Sequence, residues 1–109
     1  MTQSKYKNIK TDGYSSKKEA NRAAELRLLE RAGHISGLRE QVAYMLAPSV
    51  IIQGRKRPEM KYVADFVYFD RFKTSGDPVV EDCKGFRTPV YKLKRHLMKS
   101  LYNIDILET

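Results

Sequence analysis

Asp65, and further along Asp82-Cys83-Lys84, are the residues of this chain best suited to chemistry. Two carboxylates brought together hold a hard divalent cation, and a neighbouring lysine orients or polarises an attacking water or a phosphate. That is the set metal-assisted phosphodiester cleavage requires. As a written pattern D-x(16)-D-x-K is weak, so its meaning depends on the elements that carry it. Side chains two apart on a strand share a face, which groups Asp82 with Lys84 and Val80, and Asp65 with Val63, Val67 and Phe69. With a turn centred near residues 73 to 75, Asp65 falls opposite residues 82 to 85, where opposed Cβ atoms stand about 4.5–5.5 Å apart. A slip of one residue sends the two acids to opposite faces. An ionised Asp65 within an otherwise apolar strand is costly alone, and a cation or Lys84 would be its partner. A plainer reading stands beside this one: Asp82 and Lys84 form an ordinary ion pair and Asp65 lies at a wet strand edge.

Glu19 is the next acid of interest. Its spacing from Ser16 is that of a capping box, a purely local role, yet a helix lying over the sheet would also aim this carboxylate at a metal. Gln41 sits on the polar face of a neighbouring strand, within reach of an ion, a water or a phosphate. Glu81 faces away from Asp82 on a regular strand. Cys83 lies on the face opposite Asp82 and Lys84, a position that suits a buried cysteine. His34 and His96 have no partners at metal-ligand spacing, and no GxxxxGK[ST], GxGxxG or GxSxG occurs.

The elements that must position these residues are legible from periodicity. Residues 1 to 14 are polar and basic and read as an arm. A first helix starts at Ser15 or Ser16 and ends before Gly33, with Ala20, Ala24 and Leu28 as its stripe, widened by Ala23 and Leu26. Leu38 to Ala47 alternates as a strand that Pro48 closes, and Gly54 to Pro58 reads as a basic loop. Tyr62 to Asp70 is a strand rich in aromatic and β-branched residues. Thr74 to Pro78 is a turn, and Val79 to Lys84 is the return strand. Thr88-Pro89 opens a second helix with a Val90, Leu93, Leu97, Leu101 stripe, and Ile104 to Leu107 is a short final strand. The order is α-β-β-β-α-β, an α/β (α+β) chain with helices on a mixed sheet, and residues 15 to 109 make one domain.

The chain has 109 residues, a mass of 12.7 kDa, a formal charge of +8 and a pI near 9.7. One domain is all that length supports. The charge points first to nucleic acid and second to an anionic membrane surface. No apolar run approaches the ~20 residues of a membrane span, and the first residues hold no signal-peptide core. With Cys83 as the single cysteine, neither an internal disulfide nor a cysteine zinc cluster can form, which fits a reducing cytoplasm. The cations fall into three groups: Lys5, Lys7, Lys10, Lys17 and Lys18; then Arg55, Lys56, Arg57 and Lys61; then Lys92, Lys94, Arg95 and Lys99. Together they form a phosphate-tracking surface, although each alone is an ordinary solvated face. Tyr6, Tyr14, Tyr44 and Phe86 are candidates for base stacking or for the core.

With these elements assigned, the chain resembles the PD-(D/E)xK nuclease superfamily, whose shared restriction-endonuclease-like core has the αβββαβ order. More narrowly, Ser16-Lys17-Lys18-Glu19-Ala20, Gly33-His34-Ile35, Leu38-Arg39-Glu40-Gln41, Tyr62-Val63-Ala64-Asp65-Phe66 and Val80-Glu81-Asp82-Cys83-Lys84-Gly85 resemble a family of small phage and prophage proteins, formerly of unknown function and now grouped with these endonucleases. The arrangement is also similar to transposon end-cleaving nucleases and phage junction-resolving enzymes. The resemblance implies a phosphodiester hydrolase dependent on Mg²⁺ or Mn²⁺, acting on DNA in the host cytoplasm. It implies Asp65 and Asp82 as metal ligands, Lys84 as the catalytic lysine, and Glu19 as the helix-borne acid that supports the metal or its water. Gln41 is the accessory polar residue, and Lys92 or Lys94 is the basic residue of the following helix. Arg55, Lys56, Arg57 and Arg95 join these as candidate DNA contacts. Cutting two strands with one site per chain favours a homodimer. The chain departs from the usual pattern in having Ala64 before Asp65, and aspartate rather than glutamate in D-x-K. A binding module of the same fold without catalysis, and a regulatory protein-binding domain, are the alternatives.

Overall fold

The computed structural model describes residues 16–84 and 86–109. The basic arm over residues 1 to 14, with Tyr6, Tyr14 and three of the N-terminal lysines, lies outside the described residues. The elements are α1 (Lys17–Arg31), β1 (Ile35–Ala47), β2 (Val50–Ile52), β3 (Arg55–Arg57), β4 (Met60–Asp70), β5 (Val79–Asp82), α2 (Pro89–Tyr102) and β6 (Leu107–Glu108). Four strands form a mixed, mostly antiparallel sheet in the order β1-β4-β5-β6, with β5 and β6 parallel. This α+β architecture is compatible with an αβββαβ core.

One feature departs from that order. Within the Gly54 to Pro58 segment expected to be a basic loop, Arg55–Arg57 is a strand that pairs with Val50–Ile52 in a two-stranded ribbon, Val50 opposite Arg57, Ile51 opposite Lys56 and Ile52 opposite Arg55. Gln53 and Gly54, at φ 51° and 76°, make the two-residue connection. Positive φ at both central positions gives a twist that matches the flanking strands. Gly54 meets that need at no steric cost. Gln53 is not a standard residue there, which is why the turn did not show in the sequence.

The chain divides into two compact units, one running through Leu38 and including Tyr68–Pro78, the other Arg39–Val67 with Val79–Thr109. In the first, Ser16 caps α1, its Oγ accepting the Glu19 N–H at 3.1 Å. Of the expected apolar face Ala20, Ala23 and Leu26 are buried, with Glu19 beside them, whereas Ala24 and Leu28 are exposed, Leu28 at 59%. With alanines and leucines around so much of the helix, only tertiary packing selects the line that is covered. Glu30 Oε2 accepts the Leu38 N–H at 3.0 Å, and His34 O accepts the Arg71 N–H at 3.1 Å.

In the second unit the core is Leu46, Tyr62, Ala64, Val67, Val80, Tyr91 and Met98. Thr88 Oγ1 accepts the Tyr91 N–H at 3.0 Å, with Pro89 next as the first helical residue. Here too the covered line differs from the expected one. Tyr91 and Met98 are buried, whereas Val90, Leu93 and Leu101 are more than half exposed and Leu97 is half-buried. Tyr91 can be buried because its hydroxyl finds an acceptor inside the unit. The final strand begins three residues later than expected: Ile104 and Ile106 pack on the core, and Leu107–Glu108 does the pairing. β5 ends at Asp82, but Thr109 continues the connection. Its N–H donates to Asp82 O at 3.0 Å, and its O accepts the Lys84 N–H at 3.3 Å. The stretch from Asp82 to Lys84 is therefore tied to the chain's last residue.

Candidate active site

Within the second unit, β4 and β5 bring Asp65 and Asp82 together, as the required register demanded. Asp65 Oδ2 accepts the Cys83 N–H at 2.9 Å, which fixes its carboxylate beside the end of β5. The two carboxyl groups share a hydrogen bond. Asp82 is only 1% exposed. Its Oδ2 accepts the Tyr62 hydroxyl at 2.6 Å and faces Lys84 Nζ at 3.5 Å. Burial, then the hydrogen bond to Asp65, push the Asp82 carboxyl up to about 7, against the opposing pull of Tyr62 and Lys84. A neighbouring carboxylate makes ionisation of Asp82 costlier, and a cation between the two groups would relieve that cost. Burial and then its bond to Asp82 raise the Tyr62 phenol in turn, so this hydroxyl acts as a donor at any ordinary pH.

A second set of polar groups steadies the lysine. Lys84 Nζ lies 4.6 Å from the centroid of the Tyr91 ring, a cation–π contact that holds the ammonium at a defined place. The Tyr91 hydroxyl donates to Glu108 Oε2 at 2.7 Å. Glu108 also accepts from Arg87 Nε at 2.6 Å and Arg95 Nη1 at 2.9 Å. Those bonds, Tyr91 first and then the two guanidinium groups, hold the Glu108 carboxyl down at about 2. Tyr62, Lys84 and Tyr91 also form part of the wall of a cleft of about 390 Å³, to which Lys61 and Lys94 contribute two further ammonium groups. The cleft therefore offers cations to an anionic ligand next to the buried Asp82 and the half-buried Asp65.

Residues 2–107 match the family described as "Protein of unknown function (DUF1064)". The chain belongs to this family. No curated protein and no solved structure matches it. The family description carries no activity, so the chemistry of this DUF1064 chain has to be read from its own side chains.

Of the residues singled out by sequence, Asp65, Asp82, Lys84 and Gln41 come together. Gln41 Nε2 is 3.5 Å from Asp65 Oδ1. Its backbone takes φ 54° inside β1, a left-handed conformation that a non-glycine residue adopts at a cost of order 1 kcal/mol or more. Glu19 lies in the other unit, 5% exposed on α1. Arg55, Lys56 and Arg57 are exposed on β3. Lys94 is on the cleft, whereas Lys92 and Arg95 line a separate basic hollow of about 290 Å³ with His96 and Lys99. Cys83 is half-buried, with Sγ 3.3 Å from Thr109 Oγ1. Glu81 is fully buried and accepts the Thr109 hydroxyl at 3.1 Å.

Tyr62, Tyr91 and Glu108 are the members that sequence reasoning missed. Tyrosines in apolar strands and helices read as core, and nothing local marks Tyr62 as the donor to Asp82, or Tyr91 as the ring beneath Lys84 with Glu108 holding its hydroxyl. Among the described residues no group of three or more His, Cys, Asp or Glu side chains is placed to hold a metal ion. Mg²⁺ is commonly held by one or two carboxylates, with waters and substrate phosphate completing the shell. The Asp65–Asp82 pair, made of hard oxygen donors and with the Asp82 carboxyl raised by burial and by its neighbour, fits such an ion.

Proposed function

We propose that this DUF1064 chain is a divalent-metal-dependent endodeoxyribonuclease of the PD-(D/E)xK type. The observation that carries this reading is the convergence of Asp65, Asp82 and Lys84 beside a cleft that also presents Lys61 and Lys94. Asp65 and Asp82 would hold Mg²⁺ or Mn²⁺, and Gln41 is near enough to Asp65 to contribute its amide oxygen. Such an ion lowers the pKa of a bound water and neutralises charge developing on a phosphate.

The chain's own residues supply the rest. The Cys83 N–H fixes one oxygen of Asp65, and Tyr62 fixes one oxygen of Asp82, so neither carboxylate has to reorganise when substrate arrives. Lys84, held over the Tyr91 ring, places an ammonium where it can orient the nucleophile or meet a phosphate oxygen. Lys61 and Lys94 draw the phosphodiester backbone into the cleft. Glu108 absorbs the charge of Arg87 and Arg95 and so keeps the Tyr91 ring in place beneath Lys84.

The test is incubation with supercoiled plasmid, linear duplex and a four-way junction, with and without Mg²⁺ or Mn²⁺. Cleavage should require the metal and should be abolished by Asp65→Asn, Asp82→Asn and Lys84→Ala. DNA binding in Ca²⁺ should survive the Asp82 change. Cleavage by Asp82→Asn at the wild-type rate would sink the assignment. A second reading, a regulatory domain or homodimer contact through α2, has the exposed Val90, Leu93 and Leu101 in its favour. Steep salt dependence of DNA affinity argues against the regulatory form, and sedimentation tests for the dimer.

A further inference from the structure

The ribbon of β2 and β3 has no role in the acid site, and its composition is unusual. It forms a sheet of its own, and all six of its residues are exposed. Two isolated strands are marginally stable in water, and here Val50, Ile51 and Ile52 are 46%, 74% and 50% exposed. Every residue opposite them is a cation, and no acidic residue occurs from Pro48 to Pro58.

Directly paired residues share a face. One face therefore carries Val50 and Ile52 beside Arg57 and Arg55, and the other carries Ile51 beside Lys56. Arg55 and Arg57, two residues apart, are separated by roughly 6.6 Å along the strand, about two base steps of duplex DNA at ~3.4 Å each. A two-stranded ribbon fits the major groove, about 12 Å wide. Guanidinium groups pair there with guanine O6 and N7, and apolar side chains meet thymine methyls. A ribbon bearing only positive charge is complementary to that anionic groove and repelled by a second copy of itself.

We infer that the β2–β3 ribbon enters the major groove of duplex DNA, with Arg55 and Arg57 on guanine edges, Val50 and Ile52 on thymine methyls and Lys56 on the phosphate backbone. This rests on the reading of DNA as substrate and names the duplex groove as a second point of contact.

The test is fluorescence anisotropy with the whole chain in chelator, so that no cutting occurs. The probes are a short duplex, the same duplex with 7-deazaguanine for guanine, and the same with uracil for thymine. Wild-type protein should bind the native duplex about tenfold more tightly than the 7-deazaguanine form. The Arg55→Ala/Arg57→Ala variant should bind both equally, and weakly. Ile52→Ser should lose the preference for thymine over uracil, and Lys56→Ala should reduce the salt slope by about one. Thermal melting should be unchanged in each variant, since every altered side chain is exposed.

Wild-type protein that does not distinguish 7-deazaguanine overturns groove entry, and so does an arginine variant that binds as wild type. An Ile52→Ser variant that dissociates a dimer at unchanged DNA affinity makes the ribbon a self-association arm and also overturns it. Asp82-dependent cutting with ribbon-independent binding refutes this inference alone. Ribbon-dependent binding with no Asp82-dependent cutting refutes the nuclease reading alone.

Discussion

Asp82→Asn should make the metal-free protein more stable at alkaline pH while destroying the proposed activity. In the folded chain the Asp82 carboxyl is pushed up to about 7 from an ordinary value of 3.8. A raised carboxyl favours the folded state fully below the unfolded value, and that advantage is lost as pH rises through the folded one. The window is therefore pH 4 to 7, with nothing left to lose above about pH 8. At ~1.4 kcal/mol per pKa unit, the gap sets a ceiling on the order of 4 kcal/mol.

Asparagine is the neutral isostere of the protonated acid. Its oxygen still accepts from Tyr62, and its amide can donate to Asp65. Its stability should stay level over the window in which the wild type declines. For a chain of this size the ceiling corresponds to roughly 15–20 °C in Tm. The assay is thermal unfolding of both proteins in chelator from pH 5 to 9. Taking the difference cancels what the two proteins have in common. A wild-type Tm that does not fall relative to the variant across this range refutes the reasoning. Mg²⁺ or Mn²⁺ added at pH 8 should restore stability to the wild type and do nothing for Asp82→Asn.

Tyr62→Phe removes a donor that favours ionised Asp82 and so raises that carboxyl further; the decline in stability should extend to higher pH and deepen at pH 8, where about 1.5–3 kcal/mol is lost by urea unfolding. An unchanged urea midpoint there would count against the buried bond. Glu108→Gln should blunt acid unfolding: the carboxyl is held at about 2, so its contribution is present above the usual 4.5 and lost as pH falls toward 2. The check is Tm between pH 2 and 5, where the variant should change less than the wild type. Gly54→Ala should loosen the ribbon by about 1–2 kcal/mol through backbone strain alone, because φ is +76° and a Cβ there meets no atom. Faster amide exchange confined to residues 50 to 57 is the expected signature.

The aromatic and β-branched residues of Tyr62–Asp70, the turn chemistry of Thr74 to Pro78, the Ser16 and Thr88 caps, and Gly33 and Pro89 made both helices and the central hairpin legible, because each is a local preference written in a few adjacent residues. The pairing of Asp65 with the end of β5 was legible as well, given the turn position. Three matters were decided elsewhere. Which apolar line of each helix is covered depends on the surface it meets, so Leu28, Val90, Leu93 and Leu101 lie exposed while Leu26, Tyr91 and Met98 are buried. Two left-handed residues turn an apparent loop into a ribbon, and one of them is a glutamine, which gives no signal. The path from Glu108 through Tyr91 to Lys84, and from Tyr62 to Asp82, joins residues from β4, β5, α2 and β6 that no spacing relates. The sequence alone determined which side chains could do chemistry, since that is a property of residue type. Only the tertiary structure decided their protonation and their partners, because burial and distance set those, and both arise from chain segments far apart in sequence.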